Sequence, residues 1–202
     1  MLVNTLLLAL ATGAAAISPV GGGSWKSASP GFSVQQCEGG KVSGSEFILP
    51  KSKNGNSSGA GCSNGHLRAE RRYNNDYSSG VHQFGGQFKI NSFGGDKVAL
   101  KQTFNGDDGP YFIMGVKSSG DLYNVEGGAT IASGVAKVGS TVTINTVHDA
   151  NNQKYTVYVN GALKYTTSSP GGSFYDKFGA YTSDSGAGPI DVTWSNTAFW
   201  TQ

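Results

Sequence analysis

The sequence predicts an all-β fold, an antiparallel β-sandwich of the jelly-roll type, from three observations. Of the 202 residues 31 are glycine, 14% are charged and 11% are aromatic, which is typical of β-rich exported proteins. No segment shows a long apolar repeat at helical spacing with capping residues. Short β-like runs recur instead at even spacing between glycine turns, as they do in sandwiches and jelly rolls.

The N-terminus predicts export. Residues 6–11 are an apolar run, and three alanines at 14–16 supply a small-residue cleavage site, as in a signal peptide. No Lys or Arg precedes the run, and a short membrane anchor or a buried strand are the alternatives, but the run is too short to span a bilayer comfortably. We predict a signal peptide at 1–16, an extended segment at 17–39 and one jelly-roll domain at 40–202, in a secreted monomer that does not associate with membranes.

The two cysteines, Cys37 and Cys62, flank a loop rich in Gly, Ser, Asn and Lys. In an exported chain they predict one disulfide, which would contribute about 3 kcal/mol by closing a loop of this size. Asn56 begins an Asn-Ser-Ser sequon in the same loop and is a predicted N-glycosylation site.

The strand-like runs follow in order along the chain. They are "KVSGSEFILP", "HLRAERRY", "SGVHQFGGQFKI", "KVALKQTF", "YFIMGVKSSGDLYNV", "TVTINTVHD", "QKYTVYVNGALKYTT", "DKFGAYTS" and "IDVTWSNTAFW". Two of them contain turns: residues 118–120 predict one hairpin, and Asn160-Gly161 between alternating runs is a strong type I′ hairpin signal. Residues 18–31 are rich in Gly, Ser and Pro and are expected to wrap the edge of the sandwich.

The run "RAERR" places Arg68, Glu70 and Arg72 on one face of a strand. The glutamate can hold both guanidinium groups, whose forks can bind carboxylates in a bidentate manner. The alternative is a solvated strand face balanced by its own ion pairs. Only further polar groups on the same face would favour a binding site.

Gln102 lies in phase with Val98, Leu100 and Phe104 on the next candidate strand. A glutamine among apolar residues is either satisfied by the backbone or a ligand-binding group on a concave face. His82 is in phase with Phe84, which favours a buried, hydrogen-bonded histidine over a catalyst.

Two further histidines, His66 and His148, lie near predicted loops and are expected to be exposed. In the late run "SFYDKFGAYTS", alternation puts Tyr175, Lys177 and Tyr181 on one face. That face is polar and aromatic and carries one cation.

Several functional classes are disfavoured. A glycoside hydrolase needs two carboxylates across the scissile bond, and no strand carries an acidic triplet. The formal charge of +2 and the lack of a basic run argue against nucleic acid as a partner. Scattered histidines and paired cysteines leave no expected metal site, and no cofactor is expected.

Three motifs occur in an order that resembles the jelly-roll alginate lyases, polysaccharide lyase family 7, and is similar to the fold of the glucuronan lyases. They are Arg-x-Glu-x-Arg in "RAERR", the glutamine strand "KQTF" and a late Tyr-Phe-Lys-x-Gly-x-Tyr-x-Gln pattern in "YDKFGAYTS". The resemblance covers about residues 40–202 and implies a concanavalin A-like sandwich acting on an acidic polysaccharide or oligosaccharide.

The resemblance also implies residue roles. Arg68 and Gln102 would neutralise the uronate carboxylate, and Tyr181 would be the acid and in some cases the base. The remaining candidates, expected to bind substrate, are Glu70, Arg72, Lys177 and Tyr175.

The chain departs from the family pattern at three positions, the first of which is Asp176, where the late motif of the family has phenylalanine after the leading tyrosine. Phe104 stands where the family has histidine, and Ser183 stands where it has the final glutamine. Three alternatives follow: His82 is the base, Tyr181 is both base and acid, or catalysis has been lost and the protein binds glycans or another partner. The predicted reaction is β-elimination from a polyuronate, with the glycan-binding module as the alternative.

Overall fold

The structure is a computed structural model that describes residues 17–202, so the predicted signal peptide at 1–16 lies outside the described residues. Residues 17–202 form fifteen β-strands and no helix. None of these residues therefore belongs to a helix that could cross a membrane. In chain order the strands are β1 (Lys26–Ala28), β2 (Phe32–Cys37), β3 (Lys41–Ser43), β4 (Glu46–Leu49), β5 (Arg68–Tyr73), β6 (Val81–Phe93), β7 (Lys97–Asn105), β8 (Gly109–Lys117), β9 (Leu122–Asn124), β10 (Thr130–Ala132), β11 (Thr141–Asp149), β12 (Lys154–Val159), β13 (Ala162–Ser168), β14 (Phe174–Tyr181) and β15 (Ile190–Thr201).

The strands form two antiparallel sheets that pack as a sandwich, which confirms the predicted fold class. The eight-stranded sheet has the order β13-β12-β11-β6-β15-β4-β3, with β1 paired to β15. The seven-stranded sheet has the order β10-β9-β8-β7-β14-β5-β2. Every predicted run contains one or two of these strands. The sequence missed β1, β2 and β10; β1 and β10 have three residues each, and β1 and β2 lie in the segment 17–39.

Aromatic side chains fill the space between the sheets. Phe178 on β14 lies 5.4 Å from Phe84 and 5.0 Å from Trp194, both on the opposite sheet, measured between ring centroids. The predicted hairpin turn is also present, because Asn160 and Gly161 both have positive φ, 50° and 79°. A type I′ turn requires positive φ at both of its central residues.

A buried polar cluster also lies between the two sheets, where the Lys101 ammonium is 5.1 Å from the centre of the Phe84 ring. Lys101 on β7 is 0% exposed and its ammonium donates to the Asp176 carboxylate on β14 at 2.5 Å. Thr103 and Asn75 also donate to this carboxylate, at 2.9 and 2.7 Å. Burial alone would raise the pKa of Asp176, but the adjacent ammonium and these donors hold it below its usual value. Burial lowers the pKa of Lys101, and the Asp176 charge and hydrogen bond oppose this, so the two groups form a salt bridge inside the sandwich.

His148 is buried, contrary to the prediction that it is exposed. Its two ring nitrogens are hydrogen bonded to Tyr77 Oη at 3.0 Å and Ser169 Oγ at 2.8 Å. His148 is on β11, where the alternating pattern points it inward, and the loop residue Ser169 covers it. Burial lowers the pKa of His148 to about 4.

This burial predicts a pH-dependent loss of stability. The unfolded chain takes up a proton at this position below about pH 6.5, whereas folded His148 does so only near pH 4. The free energy of unfolding should therefore fall by roughly 3 kcal/mol as pH drops through that window. Urea unfolding at pH 7 and pH 4.5 should show a smaller fall in the His148→Gln variant. An equal fall in both proteins would contradict the assignment.

Candidate active site

Three neighbouring strands of the seven-stranded sheet, β5, β14 and β7, bring the predicted site residues together. Lys177 pairs in register with Arg72 on one side and with Gln102 on the other. Tyr181 pairs with Arg68. The three motifs, at residues 68–72, 101–104 and 175–183, therefore form one cross-strand patch on one face of the sheet.

Glu70 anchors two members of this patch. Its carboxylate is 0% exposed, accepts a hydrogen bond from Arg68 Nη1 and accepts a second from Gln102 Nε2 at 2.6 Å. A charged acceptor shared by two donors fixes both side chains. Gln102 retains a second amide hydrogen, so a donor remains for a bound anion.

Arg72 is not held by Glu70, which corrects the expectation that one glutamate positions both arginines. Its guanidinium instead donates to both carboxylate oxygens of Asp76, at 2.6 and 3.0 Å. The same guanidinium lies 4.0 Å from the centre of the Tyr175 ring. Arg72 therefore borders the patch as part of a structural ion pair.

A β-bulge in β7 places Gln102 on this face. Between Ala99 and Lys101 the register with β8 shifts by one residue, and such a bulge reverses the side-chain alternation that follows. Leu100 belongs to the hydrophobic core, whereas Gln102 bonds to Glu70. The predicted common phase of Gln102 with Val98 and Leu100 is therefore wrong.

Tyr181 ends β14 and is 8% exposed. Its hydroxyl oxygen lies 2.8 Å from His66 Nδ1 and accepts a hydrogen bond from Asn64 Nδ2 at 3.0 Å. The Arg68 guanidinium lies 4.1 Å from the ring centre. Burial raises the pKa of Tyr181, as does the Glu70 charge, and the Arg68 charge and the Asn64 bond only partly oppose it. The phenol therefore holds its proton at neutral pH.

His66 is the functional candidate that sequence reasoning missed. It was expected to be exposed near a loop, but it is half-buried and its ring stacks on Tyr181 at 5.5 Å. His66 lies in the loop before β5. The Cys37–Cys62 disulfide links this loop to β2, and the Cα atoms of the two cysteines are 5.3 Å apart. The disulfide confirms the predicted pairing. The one available signal was proximity, since His66 precedes Arg68 by two residues.

His82 does not join this patch. It lies on β6 in the opposite sheet, stacks on Tyr77 with ring centroids 3.7 Å apart, and bonds through Nε2 to the carbonyl of Ser79 at 2.8 Å. Burial lowers its pKa. The structure therefore places it as a packed, satisfied histidine, the interpretation that its apolar phase favoured.

The other end of the patch is aromatic. Phe104, which replaces the histidine of the family pattern, stacks on Tyr175 with centroids 5.1 Å apart. The Lys177 ammonium lies 4.9 Å from the Phe104 ring centre, and Lys177 is 5% exposed. Burial lowers the pKa of Lys177, and Glu70 opposes this while Arg68 and Arg72 add to it. The ammonium therefore lies against this stacked pair, 4.9 Å from the Phe104 centre and 5.8 Å from the Tyr175 centre.

A cavity of about 370 Å³ opens beside the Tyr181 hydroxyl. Its polar lining includes Asn64, His66, Glu126, Tyr181, Ser183 and Asp184. Ser183, a further departure from the family pattern, therefore faces open space next to the tyrosine. Asn56, the predicted glycosylation site, lies in the exposed part of the disulfide loop. Within residues 17–202 no cluster of three metal-ligating side chains occurs.

Comparison with solved structures identifies the fold. The alginate lyase from Corynebacterium sp. superposes with a TM-score of 0.61 at 20% identity, covering 78% of this chain and 76% of that chain. An alginate lyase from Pseudomonas aeruginosa gives 0.60 at 16% identity, covering 78% and 82%. A family 7 alginate lyase solved with its product gives 0.60 at 15% identity, covering 78% and 79%.

These likenesses confirm the predicted resemblance at the level of the fold, a jelly roll similar to that of polysaccharide lyase family 7. No family model matches the sequence. No curated protein matches it either. The function is therefore argued from the site.

Proposed function

We propose that the chain is a secreted polysaccharide lyase that cleaves a polyuronate by β-elimination, with Tyr181 as the residue that moves the proton. The observation that carries this proposal is the contact between Tyr181 Oη and His66 Nδ1 at 2.8 Å. It lies beside Arg68 and Gln102, which Glu70 anchors. The similar structures include an alginate lyase in complex with dimannuronate, which supports an acidic oligosaccharide as ligand.

Such a site must first make the C5–H group of the uronate more acidic, so that its proton can be removed. Arg68 and the free amide hydrogen of Gln102 would bind the substrate carboxylate and stabilise the negative charge that develops on it. Lys177 supplies a further positive charge nearby. Preorganised donors of this kind need no reorganisation during the reaction, because Glu70 already fixes them.

The proton then moves through Tyr181. Its oxygen takes the C5 proton as its own proton passes to His66 Nδ1, which gives an enolate-like intermediate and an imidazolium. The re-formed phenol protonates O4, the C4–O4 bond breaks and a C4–C5 double bond forms. The imidazolium returns its proton to the phenolate, so the net change is transfer of the C5 proton to O4. The raised pKa of Tyr181 makes a neighbouring acceptor necessary.

This arrangement predicts a preference among polyuronates. Because a single oxygen removes the C5 proton and protonates O4, both must leave from the same face of the sugar ring. They do so in 4-linked D-glucuronate and D-mannuronate, whereas in L-guluronate they lie on opposite faces. We expect cleavage of the first two polymers at a rate at least tenfold above that of polyguluronate.

The test is incubation of the protein with each of the three polymers while ultraviolet absorbance is followed. A rise in absorbance reports the new double bond conjugated with the carboxylate. Absence of a rise on all three polymers contradicts the lyase proposal. A faster rise on polyguluronate contradicts the single-oxygen mechanism.

The alternative function is a non-catalytic glycan-binding module on the same fold. The observation that favours it is Phe104, whose ring stacks on Tyr175 where the family pattern has histidine. Binding of the polymers by calorimetry, with no rise in absorbance, is the result expected for this module.

A further inference from the structure

Asp184 contacts Nε2 of His66, the ring nitrogen that does not contact Tyr181. Its Oδ1 lies 3.2 Å from His66 Nε2. The turn that carries Asp184 is tied down on both sides: the Gly186 amide donates to Ser183 O at 3.0 Å, and the Ala187 amide donates to Asp96 Oδ1 at 3.0 Å. The carboxylate itself is 97% exposed, whereas the His66 side chain is 19% exposed.

We propose that Asp184 is a positioning residue that holds His66 in the tautomer with hydrogen on Nε2. This inference rests on the proposed function, in which His66 Nδ1 receives the Tyr181 proton. Neither the fold resemblance nor the motifs of the sequence point to Asp184, which follows the position where the family pattern has glutamine.

The contacts among Asp184, His66, Tyr181 and Asn64 allow one consistent assignment of hydrogen-bond donors and acceptors. A carboxylate can only accept, so His66 Nε2 carries the hydrogen that it donates to Asp184. His66 Nδ1 then presents a lone pair, which accepts the Tyr181 hydroxyl, and the Tyr181 oxygen accepts from Asn64 Nδ2. The opposite tautomer would aim the Nε2 lone pair at the carboxylate, which is repulsive.

The same carboxylate lies 3.2 Å from the ring that becomes positively charged in the proposed proton transfer. This division of labour resembles that of the aspartate in a serine hydrolase triad, which orients histidine and stabilises its cation. Because Asp184 is exposed, water screens its charge and the effect is much smaller than that of a buried aspartate. We expect the Asp184→Asn variant to lose about twofold to fivefold in kcat with little change in KM.

The experiment records the tautomer directly. Nitrogen chemical shifts of His66, measured by long-range ¹H–¹⁵N correlation in ¹⁵N-labelled protein, distinguish hydrogen on Nε2 from hydrogen on Nδ1. The wild-type protein should show mainly the Nε2–H form. The Asp184→Asn variant should show a mixture, and Asp184→Glu should restore most of the wild-type signal and rate. The exposed Glu46 on the other sheet provides a charge-matched control. The Glu46→Gln variant should change neither the His66 nitrogen shifts nor the rate.

The outcomes separate the two proposals, because the tautomer is read in the resting protein without turnover. A Nδ1–H form in the wild type, or no change in Asp184→Asn, overturns the positioning role even if the protein cleaves polyuronate. The expected tautomer shift in a protein with no lyase activity upholds the positioning role and overturns the proposed function.

Discussion

Replacing Tyr181 by phenylalanine should lower kcat on polyglucuronate or polymannuronate by about 10²–10⁴-fold, the usual contribution of a general acid–base group. The variant keeps the ring that packs under the Arg68 guanidinium, 4.1 Å away, and removes only the oxygen. The proposed carboxylate-binding groups, Arg68 and Gln102, are unchanged in this variant, so KM should change little. Initial rates from the absorbance assay provide both constants.

The matched control is Tyr158→Phe, which removes a phenol from β12 in the opposite sheet and should leave kcat unchanged. Melting temperatures of the two variants should agree with that of the wild type within a few degrees. A Tyr181→Phe protein that retains a tenth or more of the wild-type kcat would rule out Tyr181 as the proton-moving group.

Replacing Lys101 by methionine should cost about 3–5 kcal/mol of unfolding free energy, since it leaves the buried Asp176 carboxylate without its counter-ion. Lys101 and Asp176 are 0% and 4% exposed, so water cannot replace the lost ammonium. The pair also links the two strands at the site, because Gln102 follows Lys101 on β7 and Lys177 follows Asp176 on β14. Urea unfolding near pH 7 measures the loss.

Two further variants sharpen the stability test. The double variant Lys101→Met/Asp176→Leu should recover most of the lost stability, because replacing a buried pair by apolar residues is often neutral or better. Lys89→Met, on an exposed position of β6, removes the same charge from the surface and should change stability by less than about 1 kcal/mol. A Lys101→Met protein as stable as Lys89→Met would show that the pair contributes no stability.

Much of the fold and part of the site could be predicted from the sequence, where local signals were sufficient. Alternation predicted the polar face of β14 with Lys177 and Tyr181, and the inward-facing Phe178 packs in the core. The Asn160-Gly161 turn was predicted because its backbone conformation depends on those two residues. The family resemblance carried by the three motifs implied that Arg68, Gln102 and Tyr181 act on the same sugar, and these residues do lie on neighbouring strands of one sheet.

Other features of the site depended on contacts that no local pattern records. The bulge in β7 arises from pairing with β8, so alternation along β7 alone misplaced Gln102 relative to Leu100. The strands β1 and β10 have three residues each, too few to show an alternating period, and the first three residues of β2 are all exposed, so they do not alternate either.

The sequence by itself determined the β-sandwich, the disulfide and the strands that carry the candidate site, since alternation, turn residues and cysteine number act over short distances. Only the tertiary structure decided which histidine meets Tyr181. His66 and His82 both lie within 16 residues of Arg68 in the chain, yet the fold sends one to the phenol and the other to the opposite sheet. The physical reason is that this hydrogen-bonded contact depends on loop closure and strand order, which bring together residues 115 positions apart.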